Sequence, residues 1–332
     1  MSALLEIRAA GVSYPRAGEA AGRFVAVEGV TLSLQAGEIV GLVGESGSGK
    51  SSLGRAILGL VPLAAGEIRW RGERIDALPR RAFRRLRREL QLVFQDPQAS
   101  LDPRMTIAES IDEPLRALAP EYSVAARASR VAALLGETGL ASELAGRYPH
   151  QLSGGQLQRA AIARALIVDP AFIVCDEPVS SLDVSVQGQI VNLLSRIRRE
   201  RGLACLFISH NLAVVTRLAE RILVMYRGRI VESGTREAIL RSPRHPYTRL
   251  LLDSVPAPDP ASARRLVARG VPVIGEDAGP PSSGCPFAVR CPFSVPHCRS
   301  ERPELHDVEG GGAVACHRAA DWPAGLPPAM RG

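Results

Sequence analysis

Gly44-Glu45-Ser46-Gly47-Ser48-Gly49-Lys50-Ser51 stands between a compact apolar run at 38–43 (EIVGLV) and a helical stretch at 52–60 (SLGRAILGL). A glycine at each end of a four-residue variable stretch, followed by Lys and Ser, is the P-loop pattern, and a strand before it with a helix after it is the context the pattern requires. The physics is direct. Glycines let backbone N–H groups curl around phosphates, and the helix N-terminus adds the positive end of its dipole. Lys50 neutralises β- and γ-phosphate oxygens, and the Ser51 hydroxyl ligates Mg²⁺. Ser52 stands next in line and keeps a hydroxyl there.

Working outward, a second acidic feature belongs to the same chemistry. The run AFIVCDE at 171–177 is continuously apolar before Asp176 and Glu177, as expected of a parallel strand buried on both faces that delivers charge at its carboxyl end. One acid there holds Mg²⁺, and the other orients the attacking water. His210 closes the apolar run LACLFIS and Gln95 sits in VFQDP; each is uninformative alone and gains meaning only in register with the loop. That register comes from Leu152-Ser153-Gly154-Gly155-Gln156, where Ser and two glycines open a helix and make a second anion-binding N-terminus. A second phosphate site about a hundred residues on serves another subunit's nucleotide, so the pattern predicts a dimer.

The remaining chain reads as an α/β protein with a mostly parallel sheet. Residues 1–90 are strand-rich, with turns at Ala36-Gly37 and Arg71-Gly72; residues 100–168 are helical; Arg227-Gly228 turns a hairpin in ILVMYRGRIVESG. Within RRAFRRLRREL (80–90), Phe83, Leu86 and Leu90 recur at helical spacing, which predicts a solvated helix with one buried face. Membrane-surface contact is the other reading of its arginines. Val124, Ala128, Val131 and Leu135 predict one buried face of a helix ending near Gly136 or Gly139, and Gly202 predicts the stop of the helix before it. From about 254 the chain turns Pro-, Ala-, Gly- and Ser-rich, a linker composition. No apolar run approaches the roughly 18–20 residues of a membrane span, and no signal-peptide pattern opens the chain; a cytosolic protein is the expectation. The net charge of +7 resides largely in Arg-rich helical stretches, so nucleic acid is not expected as a partner.

Taken in order, these motifs resemble the ATPase subunits of ABC transporters. The resemblance implies an adenine-stacking aromatic at Tyr14, a Walker A loop from Gly44 through Glu45, Ser46, Gly47, Ser48, Gly49, Lys50 and Ser51 to Ser52, and a Q-loop at Gln95. It implies a signature at Leu152–Gln156, a Walker B strand at 172–177 with Glu177 catalytic, a D-loop at 180–183 ending in Asp183, and a switch His210. Mg²⁺ ligands are then Ser51, Gln95 and Asp176. The implied fold is a P-loop NTPase core with an antiparallel β subdomain and a helical subdomain at about 96–168, together spanning 1–253. A small cysteine-containing extension follows at 254–332. LVGESGSGKSS, VFQDPQASLDPRMTI, DEPVSSLDVSVQ and SPRHPYTRLLLDSVPAPDP are similar to the oligopeptide/dipeptide importer group, whose relatives also move nickel or glutathione. That implies two membrane permease subunits, an extracytoplasmic solute-binding protein, an identical or homologous ATPase partner, and a peripheral place on the cytoplasmic membrane face.

Of six cysteines, Cys175 and Cys205 lie in apolar runs; Cys285, Cys291, Cys298 and Cys316 are spaced C-x5-C-x6-C-x17-C. Clustered thiols in a reducing compartment point to metal, since thiolates select zinc or iron–sulfur clusters. The spacing lacks the C-x2-C pairs typical of zinc ribbons, leaving zinc with His297 or His317, or free thiols, as alternatives. The family resemblance implies a [4Fe-4S] cluster on these four residues, stapling a segment expected to bury little apolar surface.

Overall fold

The structure, a computed structural model, describes residues 3–15, 22–254, 283–308 and 311–321. The linker read at 255–282 and most of the loop after Tyr14 lie outside the described residues. The chain divides into two compact units, Met1–Val40 with Ser51–Ser209, and Gly41–Lys50 with His210–Gly332.

The first unit opens with β1 (Leu5–Pro15), β2 (Arg23–Leu34) and the first two residues of β3 (Ile39–Val43). After the glycine-rich loop come α1 (Lys50–Ile57), β4 (Ala65–Trp70), β5 (Glu73–Arg74), α2 (Arg80–Leu86) and β6 (Leu90–Val93). Then follow α3 (Pro97–Ser100), α4 (Ile107–Leu118), α5 (Val124–Glu137), α6 (Gly154–Leu166), β7 (Phe172–Asp176), α7 (Val184–Arg201) and β8 (Ala204–Ser209). An antiparallel sheet runs β2-β1-β4-β5. Its tight turn is the predicted Arg71-Gly72, where both residues have positive φ (51° and 85°), the two-residue hairpin geometry that matches strand twist. In the parallel set, Leu90 pairs with Phe172 and Phe172 with Ala204. Every residue of β7 and β8 is buried, so the unbroken apolar runs follow from burial on both faces. Cys175 and Cys205 are part of this packing, their sulfurs 3.8 Å apart.

The helical region packs on α6, whose Ala160, Ala161, Ala163 and Ala165 are buried and bring α3, α4, α5 and α7 against it. α4 buries Ile107, Ile111 and Leu115 at successive turns, each worth roughly 1.5–3 kcal/mol against exposure. Its start is a capping box: the Glu109 N–H donates to Thr106 Oγ1 at 3.3 Å, and the Thr106 N–H to Glu109 Oε2 at 2.8 Å. Gly202, left-handed at φ 63°, ends α7 as predicted.

Two local expectations are corrected. Leu90 is not the last residue of a helical face: α2 ends at Leu86, and Leu90 opens β6, because pairing with Phe172 satisfies its backbone in the sheet. In α5 the buried stripe is Val131, Leu134 and Leu135, while Val124 and Ala128 are exposed. The larger Leu134–Leu135 pair rotates the buried face, and the first turns extend past what the neighbouring helices cover.

The second unit holds Gly41–Val43, the loop to Lys50, α8 (Leu212–Val215), β9 (Arg221–Tyr226), β10 (Arg229–Thr235), α9 (Arg236–Arg241), α10 (Pro246–Asp253), α11 (Pro296–Ser300), β11 (His306–Asp307) and β12 (Ala313–Val314). The β9–β10 hairpin turns at Arg227-Gly228 (φ 44° and 83°), as predicted. The C-terminal segment joins this ladder: β12 pairs with β10 through Glu232–Val314, and β11 with β12. It also buries Phe287, Ala288, Val314 and Ala319. The expected core-poor tail therefore shares a core with Tyr226 and Tyr247, whose rings lie 5.3 Å and 5.5 Å from that of Phe287.

Removing the Thr106 hydroxyl leaves the first turn of α4 without its cap. Thr106→Ala is expected to cost about 1 kcal/mol, read as a lower denaturant midpoint with an unchanged slope.

Candidate nucleotide site

In the second unit, β3 is buried to its end at Val43, and the chain then curls sharply. Gly44 accepts no side chain: a Cβ there would lie 2.1 Å from the Met225 carbonyl oxygen. Gly47 and Gly49 take φ of 77° and 102°, values that exclude most side chains. The curl surrounds Lys50, which is 3% exposed. Its Nζ donates to the carbonyls of Gly44 (2.7 Å) and Glu45 (2.8 Å) and to Ser48 Oγ (3.3 Å). The loop is held from outside as well. The Gly228 N–H donates to the Ser48 carbonyl at 2.8 Å, and the Glu45 N–H to Tyr247 Oη at 2.8 Å.

In the first unit, Ser51 Oγ donates to Asp176 Oδ1 at 2.7 Å. Asp176, 5% exposed, ends β7. Two hard oxygens side by side are the donor chemistry of Mg²⁺, so these residues fit that ion. Glu177 follows with φ 46°, a left-handed conformation that is costly outside glycine and that collects at functional sites. Its N–H donates to the Ile208 carbonyl at 3.0 Å, and Gln95 Nε2 reaches Glu177 Oε2 at 3.4 Å. Tyr14 Oη donates to Ser52 Oγ at 3.2 Å. The structure thus brings together Ser51, Asp176, Glu177 and Gln95, and sets Tyr14 beside Ser52.

Ser153 caps α6, its hydroxyl accepting from the Gln156 N–H while Gln156 Oε1 accepts from the Ser153 N–H. Ser153 and Gly154 are exposed. Gly155 has a packing reason for its identity, since a Cβ would lie 2.7 Å from Val186 Cγ1. Asp183 is exposed at the start of α7, and His210 is exposed just after β8.

The four C-terminal cysteines line one small cavity with His245, Phe287 and His317. Burial pushes the Cys291 thiol up to about 12, Cys316 to about 11, and Cys285 upward. Among the described residues no group of three or more His, Cys, Asp or Glu side chains is arranged to hold a metal ion. His297 is not among the residues lining the cavity; its ring centroid lies 4.2 Å from that of His317.

Sequence reasoning missed the outer support of the loop. Arg290 donates to both Glu45 carboxylate oxygens, at 2.7 Å and 2.8 Å, and Tyr247 and Tyr226 lie behind it. No periodicity or motif marks a contact across 245 positions; the local signal was only an arginine beside Cys291.

The profile of ABC transporters matches residues 27–180, and that of the oligopeptide/dipeptide transporter C-terminal region matches residues 231–298. The chain is similar to the oligopeptide transport ATP-binding protein OppF of Escherichia coli, at 49% identity over 84% of each chain. Against OppF of Haemophilus influenzae the identity is 43%, covering 94% of this chain and 96% of that one. Among solved structures it is similar to the ATP-binding cassette MJ0796, a dimer in a post-hydrolysis state bound to ADP and Pi. That match has TM-score 0.64 and 29% identity, over 70% of this chain and 98% of that one.

A methyl group at position 44 must displace backbone. Gly44→Ala is expected to weaken nucleoside triphosphate binding by roughly tenfold or more, the equivalent of a modest overpacking cost, as read by titration with a fluorescent ATP analogue.

Proposed function

The chain belongs to the ABC transporter ATPase family, and on that premise we propose that it is the ATP-hydrolysing subunit of an importer of oligopeptides or dipeptides. The observation that carries this reading is the match to OppF, a named oligopeptide transport ATP-binding protein, over most of both chains, together with the C-terminal region at 231–298. Residues 1–253 form the ATPase domain, with 96–168 as its helical part, and 254–332 the peptide-importer extension.

Each residue then has a role that its setting supports. Glycine-shaped backbone from Gly44 to Gly49 receives the phosphates, and Lys50 neutralises them. Ser51 and Asp176 would hold Mg²⁺, with Gln95 completing the set; the ion would offset phosphate charge. Glu177 accepts a proton from the attacking water, and its fixed backbone and the Gln95 amide orient the carboxylate. His210 reaches the γ-phosphate, and Tyr14 stacks on the adenine. Two copies, or this chain and a homologue, close on two ATP molecules, each also contacted by Ser153, Gly154, Gly155 and Gln156 of the opposing subunit and flanked by Asp183. No helix among the described residues is long and apolar enough to cross a membrane, so translocation falls to two permease subunits, supplied by a solute-binding protein. A groove in the first unit lined by Leu58, Leu60, Phe94, Gln95 and Arg164 offers those permeases an apolar seat beside Gln95. The subunit works at the cytoplasmic membrane face.

We read Cys285, Cys291, Cys298 and Cys316 as ligands of a [4Fe-4S] cluster. Four thiols facing one cavity support it, because thiolates are the donors such clusters take; the cluster would staple the segment to its unit. Anaerobically purified protein is expected to contain about four irons per chain and charge-transfer absorbance that Cys291→Ser removes. One zinc per chain and no absorbance would overturn this assignment.

Glu177→Gln is expected to lower ATP turnover by at least about 10²-fold while ATP still binds, and to abolish ATP-driven peptide uptake in vesicles carrying the complex. Persistent hydrolysis in that variant would remove Glu177 from its role.

A further inference from the structure

We propose that Arg290 is a positioning residue of the phosphate loop: from the turn between Cys285 and Cys291 it neutralises and holds Glu45, and through Glu45 it sets the carbonyl that receives the Lys50 ammonium. The inference rests on the reading of Lys50 as the phosphate-binding lysine.

Glu45 occupies a variable position of a loop built to receive polyanions. An uncompensated carboxylate there repels phosphate, an interaction that grows as water is excluded. Arg290 removes that repulsion with a two-pronged pair, Nη1 to Oε2 at 2.7 Å and Nη2 to Oε1 at 2.8 Å, the geometry in which an arginine–carboxylate pair is most specific. The guanidinium is itself positioned. Its carbon lies 5.8 Å from the Tyr226 ring centroid and 5.7 Å from that of Phe287, within cation–π range. Nη1 also reaches Tyr226 Oη at 3.4 Å.

Glu45 is therefore held at three points. Its carboxylate meets Arg290, its N–H meets Tyr247 Oη, and its carbonyl accepts from Lys50 Nζ and from the Ser48 N–H. Tyr226, Tyr247 and Phe287 form one aromatic cluster beneath both partners, so a C-terminal turn and the phosphate loop share a floor. Displacing Arg290 frees the Glu45 side chain, loosens the carbonyl that receives Lys50 Nζ and exposes the loop to an unpaired negative charge, while the ammonium keeps its bonds to Gly44 and Ser48. The effect falls on nucleotide affinity rather than on the chemical step.

The test uses the full-length chain, a fluorescent ATP analogue with Mg²⁺, and ATPase kinetics of the complex. Arg290→Ala is expected to raise Kd and KM for ATP about five- to twentyfold with kcat within about twofold, the signature of lost ground-state binding. Arg290→Lys should recover part of the affinity, since it keeps charge and loses the fork. The decisive arm is Glu45→Gln in the Arg290→Ala background: deleting the uncompensated charge restores affinity to within about threefold of the parent. A folded Arg290→Ala protein with unchanged Kd would overturn the proposal, as would failure of Glu45→Gln to rescue. Arg290→Gln, which keeps most of the stem, supplies the same comparison if the alanine variant does not fold. Lys50→Ala runs alongside. Retained binding there would sink the site reading itself, whereas lost binding with an inert Arg290 would sink only this inference.

Discussion

A lysine ammonium buried to 3% exposure is the constraint on which the rest of the site depends. Removing such a charge from water is costly unless its donors are met, and here two carbonyls and a hydroxyl converge on Lys50 Nζ. Carbonyls from residues five and six positions earlier converge only if the chain bends back on itself. That bend uses the positive φ of Gly47 and Gly49 and the side-chain-free approach of Gly44 to Met225. Two of the three acceptor residues are also held from outside, Ser48 at its carbonyl by Gly228 of the β9–β10 hairpin and Glu45 by Tyr247 and Arg290.

The acids obey a different constraint. Parallel strands buried on both faces expose only their ends, so Asp176, the last residue of β7, and Glu177 just after it are the first polar residues the strand offers. Pairing of β7 with β8 fixes that end to within a residue, and the Glu177 N–H bond to Ile208 carries the register one step past the strand. The left-handed backbone at Glu177 is the local cost of turning the carboxylate toward Gln95 and away from the strand axis. Close packing accounts for Gly155 in the same way it accounts for Gly44: a neighbouring side chain, Val186, occupies the space of a Cβ.

The C-terminal segment is part of its unit's sheet and core rather than an appendage. Its strand β12 extends the β10 edge, and Phe287 enters the aromatic cluster below the phosphate loop. An edge covered in this way offers fewer unpaired backbone groups, and four thiols, those of buried Cys285 and Cys298 and half-buried Cys291 and Cys316, come to face one cavity. The Cys285, Cys291 and Cys316 thiols stand above their ordinary pKa because burial penalises the thiolate.

Where local chemistry decides structure, the sequence by itself determined the outcome: the P-loop between strand and helix, the apolar run ending in Asp176-Glu177, the Arg71-Gly72 and Arg227-Gly228 hairpins, and the Gly202 stop. These follow from steric limits on φ, from strand burial and from the needs of phosphate, all readable over a few residues. Periodicity misled where two states share a pattern. Leu90 fits a helical face, yet sheet pairing with Phe172 took it, and Val124 fits the stripe of α5, yet it stays exposed. Only the tertiary structure decided that Ser51 meets Asp176, that Gln95 meets Glu177, and that Arg290 grips Glu45. Those contacts join residues 82 to 245 positions apart, and side-chain pairing at such separations is set by how strands and turns pack, which no local pattern encodes.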